Sequence, residues 1–182
     1  YPEEMDDDLI NEIANNDKVC KYIDLPLQHI SDRILKAMGR RSTSEGVKKL
    51  ISKLREKVPG IVLRTSLIVG FPGEDESNFE DLYNFVEETR FDRLGVFTYS
   101  KEEGTPAARM KSQVSKREKL KRYNKIMELQ KKISLEKNLE RVGKIYKTIV
   151  QGVADDGIFY YGRTYAEAPE IDGVIYFTAQ RP

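Results

Sequence analysis

Thiol is nearly absent from this 182-residue chain, with Cys20 its single cysteine. That excludes an intrachain disulfide framework and any multi-cysteine metal or iron–sulfur site built from this chain alone. Tryptophan is missing, histidine occurs once, and no apolar run approaches the ~18 residues of a membrane span. No signal-peptide pattern opens the chain at Tyr1, so a soluble, cytoplasmic protein with no membrane partner is expected. A charge excess is missing too. With 31 basic and 30 acidic residues and a formal charge of +1, the chain has neither disordered nor polyelectrolyte character as a whole. Its 39% hydrophobic content suffices for a core of ordinary size.

What is present alternates between helical and extended patterns. Leu9, Ile10 and Ile13 recur at helical spacing, and Val19 to Leu25 reads as a strand stopped by Pro26. Ser31 is placed to cap a helix from Asp32 to Met38, ended by Gly39; Val47, Leu50, Ile51, Leu54 and Val58 mark another, ended by Pro59-Gly60. Ile61 to Val69 is an almost continuous apolar run, the pattern of a strand buried on both faces of a parallel sheet. Ser77 and Glu80 have capping-box spacing ahead of Phe79, Leu82, Tyr83 and Val86, and Arg93 to Tyr99 forms the next strand. Strands separated by helices at this spacing predict an α/β fold with parallel crossovers, best matched by part of a β/α barrel. Tyr1-Pro2 reads as the end of a preceding strand.

Ser115 and Glu118 have capping-box spacing at the start of a helix running to about Leu139. From Lys111 to Lys144, twelve lysines and arginines face four glutamates, a net +8 that fits either a solvated linker face or a phosphate-backbone contact. After Gly143 the pattern becomes all-β: Ile145 to Val150, Ile158 to Tyr161 and Val174 to Phe177 are short extended runs separated by Asp-Gly turns. This unit has a net charge of −2, a poor match to nucleic acid, and Arg181-Pro182 follow no obvious closing strand.

Barrel chemistry gathers where strands end and loops begin. The first such end carries Asp24, Gln28 and the only histidine, His29. The histidine is a structural cap or a proton carrier; the Gln28 amide reads a ribose or purine edge, or ties the loop to the next helix. The second carries Arg64, Thr65 and Ser66 before Gly70-Phe71-Pro72-Gly73-Glu74. An arginine and two hydroxyls inside a parallel strand suggest a polar lumen with an anionic or zwitterionic ligand, or an arginine paired with Asp24. The third runs from Thr98 to Ala107 and offers hydroxyls and two acids on a loop. Cys20 reads as an inert small hydrophobe within its strand.

These residues resemble the methylthiotransferases of the radical adenosylmethionine (radical SAM) group, and among them the RimO type. The resemblance rests on Tyr22-Ile23-Asp24-Leu25-Pro26-Leu27-Gln28-His29 with Met38-Gly39-Arg40-Arg41, on Leu67-Ile68-Val69-Gly70-Phe71-Pro72-Gly73-Glu74, and on Phe97-Thr98-Tyr99-Ser100 through Ala107. The tail Tyr161 to Gly173 is similar to the TRAM module of that group. The MiaB type, which modifies transfer RNA, carries Ser-Gly where this chain has His29-Ile30.

The resemblance implies residues 1–138 as the rear of a radical SAM barrel with a basic linker helix, and 139–182 as a partial, OB-like TRAM domain. It implies adenosylmethionine and two 4Fe-4S clusters, whose six cysteines are not in this chain. A radical derived from adenosylmethionine would take hydrogen from the β-carbon of an aspartate in the small-subunit ribosomal protein numbered twelve, and a methylthio group would follow. By carry-over Gln28, Arg64, Ser66, Ile68, Gly70 and Gly73 would line the adenosylmethionine pocket, with Gly70 giving backbone access to the adenine and His29 near the substrate. Against the group's Gly-x-Ile-x-Gly-x-x-Glu pattern, Ser66 replaces the first glycine and Glu74 falls one place late. An electron donor, the ribosomal particle and RNA along 111–144 are further implied partners. A transfer-RNA enzyme of MiaB type and a non-catalytic ribosome-binding fragment stand as alternatives.

Overall fold

The structure, a computed structural model, describes residues 2–179; Tyr1 and Arg181-Pro182, read above as chain ends, lie outside the described residues. After a 3-10 turn at Pro2–Glu4, α1 spans Asp7–Asn15, capped by the Asp6 carboxylate, which accepts from the Leu9 N–H at 2.8 Å. Ile10 and Ile13 enter the core while Leu9 stays exposed. β1 is only Tyr22–Asp24, because these residues alone pair with Val62–Arg64. Cys20 lies before the strand, exposed, where its carbonyl accepts from the Tyr22 N–H at 2.7 Å in a tight turn. It is therefore not the buried hydrophobe expected.

Three helices, α2 (Asp32–Ala37), α3 (Ser44–Lys57) and α4 (Glu76–Thr89), then alternate with β2 (Val62–Val69) and β3 (Arg93–Thr98). The Thr43 hydroxyl caps α3, whose periodic Val47, Ile51 and Leu54 are buried. α4 is capped by Asp75 in a reciprocal box with Asn78, not by Ser77 and Glu80. Arg33 selects the earlier pair, with its guanidinium 2.6 Å from the Asp75 carboxylate and also bonded to Asn78.

The sheet is parallel throughout, in the order β1-β2-β3. Among the described residues no strand pairs with the outer edge of β1 or β3. β2 alternates instead of being buried on both faces: Leu63, Thr65, Leu67 and Val69 are covered, whereas Arg64, Ser66 and Ile68 are half-open. Helices cover only the odd-numbered set, which leaves the even-numbered side chains facing an open lumen. A single core joins Ile10, Leu54, Leu63, Leu67, Leu82, Phe85 and Phe91.

A four-residue α5 (Pro106–Arg109) leads to α6 (Lys116–Leu139), capped by the Ser115 hydroxyl. Ile126, Leu129 and Ile133 seat α6 against β3 and α4. The chain ends in an antiparallel unit of β4 (Ile149–Val153), β5 (Tyr160–Arg163) and β6 (Ile175–Phe177). β4 starts later than the apolar run at Ile145, which is fully exposed, because pairing with β5 and an irregularity between Val150 and Gly152 set the register.

Candidate functional site

The carboxyl ends of the three strands converge on a cleft of about 570 Å³. Gln28, Ile68 and Phe97 come from the strand ends, Phe71 from the turn after β2, Thr98 to Ser100 from the end of β3, and Met38 and Gly39 from the end of α2. Ile68 and Phe97 are register partners, so they share the lumen face; Phe97 is 58% exposed. Phe71 packs edge-on to Tyr99 with centroids 5.3 Å apart. A bare aromatic face beside an amide and hydroxyls suits a ligand with one flat apolar end and polar edges. Gln28 has φ of 69°, a left-handed backbone that is unusual outside glycine. Its N–H donates to the Ser66 carbonyl at 2.9 Å and its carbonyl accepts from the Ile68 N–H at 2.8 Å. One residue thereby sits on β2 and turns its side chain to the cleft.

Beneath this mouth lies a buried polar cluster. The Glu74 side chain is fully buried; one oxygen accepts from the Gly70 N–H at 2.8 Å and the other from Arg122 at 2.7 Å. His29 is also fully buried. Its Nδ1 accepts from the Ser31 N–H at 3.0 Å, which places the ring proton on Nε2, 3.5 Å from Glu74. That separation leaves Nε2 without a close hydrogen-bond partner. Burial alone would raise the Glu74 pKa, but His29, the Gly70 N–H and Arg122 outweigh it and hold the carboxyl below its usual range.

Several expected site residues fall elsewhere. The His29 ring is turned inward to Glu74 and does not line the cleft, so it touches no proton that a substrate could offer there. Arg64 sits six residues before Gly70, about 20 Å down the strand, and is paired with Asp24. Gly70 is not open to a ligand: a Cβ there would collide with Lys119 Cγ, because the lysine stem packs on it. The Lys119 Nζ reaches on to the Tyr99 carbonyl at 2.7 Å. Gly73 faces outward, its carbonyl accepting from Arg33 at 2.8 Å. Ser66 lies on the lumen face between Arg64 and Ile68. Of the residues named from sequence, Gln28 and Ile68 line the cleft, joined by Phe71 and Phe97; the alternation of β2 could have singled out the even-numbered positions.

At the opposite end of the sheet, charges meet charges. Glu167 accepts from Arg141 at 2.6 Å and Arg93 at 3.2 Å, and Asp172 from the Tyr22 hydroxyl at 2.6 Å. These contacts dock the segment between β5 and β6 on the sheet. They also change how charge is read. The −2 of the β unit is not a surface property, since Glu167 and Asp172 are turned inward, and the +8 segment spends Arg122, Lys137 and Arg141 on internal carboxylates. Lys131 and Lys132 keep no carboxylate partner among the described residues. A larger cavity, about 660 Å³, lies here beside Arg93, Arg141, Tyr146 and Glu167, but its charged groups already bind one another, which makes the mouth the better candidate.

Among the described residues no group of three or more His, Cys, Asp or Glu is arranged to hold a metal ion, so this chain's residues do not fit an iron–sulfur cluster. No helix of the described residues is long and apolar enough to cross a membrane.

Residues 2–86 match the Radical SAM superfamily and residues 142–182 the TRAM domain. A protein of Acetivibrio thermocellus called ribosomal protein uS12 methylthiotransferase RimO is 65% identical over all 182 residues, which span 40% of its length. The chain belongs to the radical SAM methylthiotransferase family. Family members under the same RimO name occur in Clostridium botulinum strain Loch Maree, 56% identical over 97% of this chain and 39% of its own length, and in Caldanaerobacter subterraneus, 51% identical over 100% and 41%. The chain thus spans about two fifths of these relatives. Among solved structures it is similar to coproporphyrinogen III oxidase HemN of Escherichia coli, described as a radical SAM enzyme, with TM-score 0.56 and 21% identity over 75% of this chain and 30% of that one. Elp3 of Methanocaldococcus infernus gives 0.53 and 19%, over 71% and 30%. These two support the barrel-type fold. The sheet runs on through β3, beyond the residues matched to the superfamily.

Proposed function

We propose that this chain is the rear part of a radical SAM methylthiotransferase that adds a methylthio group to the β-carbon of an aspartate in ribosomal protein uS12. The observation that carries the reading is the strand-end cleft, with its bare Phe97, its Ile68 wall and the Gln28 amide, which fits the nucleoside end of adenosylmethionine. When bound, adenosylmethionine supplies the one-electron chemistry. This chain's own residues bind and orient: Ile68 and Phe97 give a flat apolar wall for a purine, Gln28 can donate and accept at once, and Phe71 closes the floor. Ser66, Gly70 and Gly73 shape this mouth without lining it.

Residues 1–138 form the barrel part and linker helix, and 139–182 the TRAM part. Cluster cysteines belong to residues outside this chain, since none here fits. An electron donor, the ribosomal particle and an RNA contact along 111–144 belong to the same reading, in a cytoplasmic protein. The test is the full-length protein reconstituted with iron and sulfide, given adenosylmethionine and either uS12 or transfer RNA. A methylthio mass gain on a uS12 aspartate is expected. Modification of transfer RNA alone overturns the substrate, and a cleft variant Phe97→Ala that binds S-adenosylhomocysteine as wild type does overturns the site.

A further inference from the structure

We infer that His29 and Glu74 form a positioning pair, a buried brace that holds the two sides of the cleft at a fixed separation without touching the ligand. The inference rests on the nucleoside reading of the cleft and names residues that reading does not use. Gln28 and His29 are neighbours whose side chains part: Gln28 to the cleft, His29 to the interior. Across the cleft, Phe71 stands in the turn that Glu74 closes by accepting from the Gly70 N–H. The His29–Glu74 contact therefore joins the backbone carrying Gln28 to the backbone carrying Phe71.

The joint is over-determined on both sides. The Ser31 N–H fixes the imidazole through Nδ1, so Nε2 presents its proton to the carboxylate. Arg122 holds the other Glu74 oxygen and the Glu74 carbonyl, at 2.7 and 3.0 Å, which ties the turn to α6. One turn earlier on that helix Lys119 covers Gly70 and holds the Tyr99 carbonyl, so the third wall of the cleft shares the anchor. A left-handed non-glycine backbone, as at Gln28, persists only where its surroundings impose it, and the pinned ring beside it is such an imposition.

Two substitutions separate bracing from simple packing, tested in the full-length reconstituted protein. His29→Asn keeps an oxygen where Nδ1 accepts from Ser31 but does not reach Glu74; His29→Gln extends an N–H donor to the Nε2 position. S-adenosylhomocysteine binding is measured by calorimetry, and KM for adenosylmethionine and kcat beside it. Binding about 10-fold weaker in His29→Asn, with KM raised in step and kcat within about 2-fold, is expected, and His29→Gln returns affinity to within about 2-fold. Wild-type affinity in both variants, or equal losses in both, overturns the brace. If His29→Asn does not fold, Glu74→Asp keeps the charge for Arg122 while withdrawing from His29 and Gly70; wild-type affinity there overturns the brace equally. Wild-type protein that binds no S-adenosylhomocysteine refutes the cleft reading itself, a result separable from a working cleft indifferent to residue 29.

Discussion

The two ends of the parallel sheet use similar residues in opposite ways. At the amino end Arg64, Arg93 and Arg141 meet Asp24, Asp172 and Glu167, largely at the surface or against the β unit, and no charge is left over for a ligand. At the carboxyl end the charged pair Glu74–Arg122 is driven under the surface, and the cleft above it is lined by aromatic, aliphatic and amide groups. Satisfied charge thus makes a joint at one end and a foundation at the other. An arginine within a strand says little about ligand binding until its end of the sheet is known.

The largest effect that tests this contrast is expected from Glu74→Gln. It leaves Arg122, 4% exposed, without its buried counter-charge and should cost about 3–5 kcal/mol in denaturant unfolding. The same group predicts a pH effect. Because its folded pKa is lowered, its contribution is complete above the ordinary glutamate value of about 4.3 and is lost as pH falls through the lower folded value. Wild-type stability measured from pH 7 downward should therefore drop more steeply below about 4 than that of Glu74→Gln.

Gly70→Ala comes next, at about 1–2 kcal/mol for the left-handed backbone, plus the cost of displacing Lys119. Lys119→Ala in the same chain should recover the steric part only, so a double-mutant cycle will show coupling. Gln28→Gly relieves its own left-handed strain and should leave stability within about 1 kcal/mol of wild type while weakening S-adenosylhomocysteine in a direct titration. Smallest of all, Arg64→Met at the amino end should cost no more than about 1 kcal/mol and leave ligand affinity untouched. A clear affinity loss there would erase the distinction between the two ends.

Much of the fold was legible because local signals agreed with one another. Thr43 and Pro59-Gly60 bracket the apolar period of α3, and Ser115 marks the start of α6. Ambiguity entered where two local solutions fit equally well. Asp75/Asn78 and Ser77/Glu80 share capping-box spacing, and only Arg33, distant in sequence, decides between them. Of the site, Gln28 and Ile68 could be named from position alone. The inward turn of His29 could not, since its partner Glu74 is 45 residues away, and the resemblance pointed to a mouth residue, which the ring is not. Net charge misled in the β unit for the same reason: counting Glu167 and Asp172 does not show that they face Arg93, Arg141 and Tyr22.

The outer border of β1 carries a practical consequence. A row of peptide groups with no neighbouring strand is a template for any extended segment that meets it, and among the described residues nothing screens that row. Prepared by itself at high concentration, this polypeptide should associate through intermolecular strand addition. Light scattering against dilution would therefore be the first quality check on any fragment cut at these boundaries.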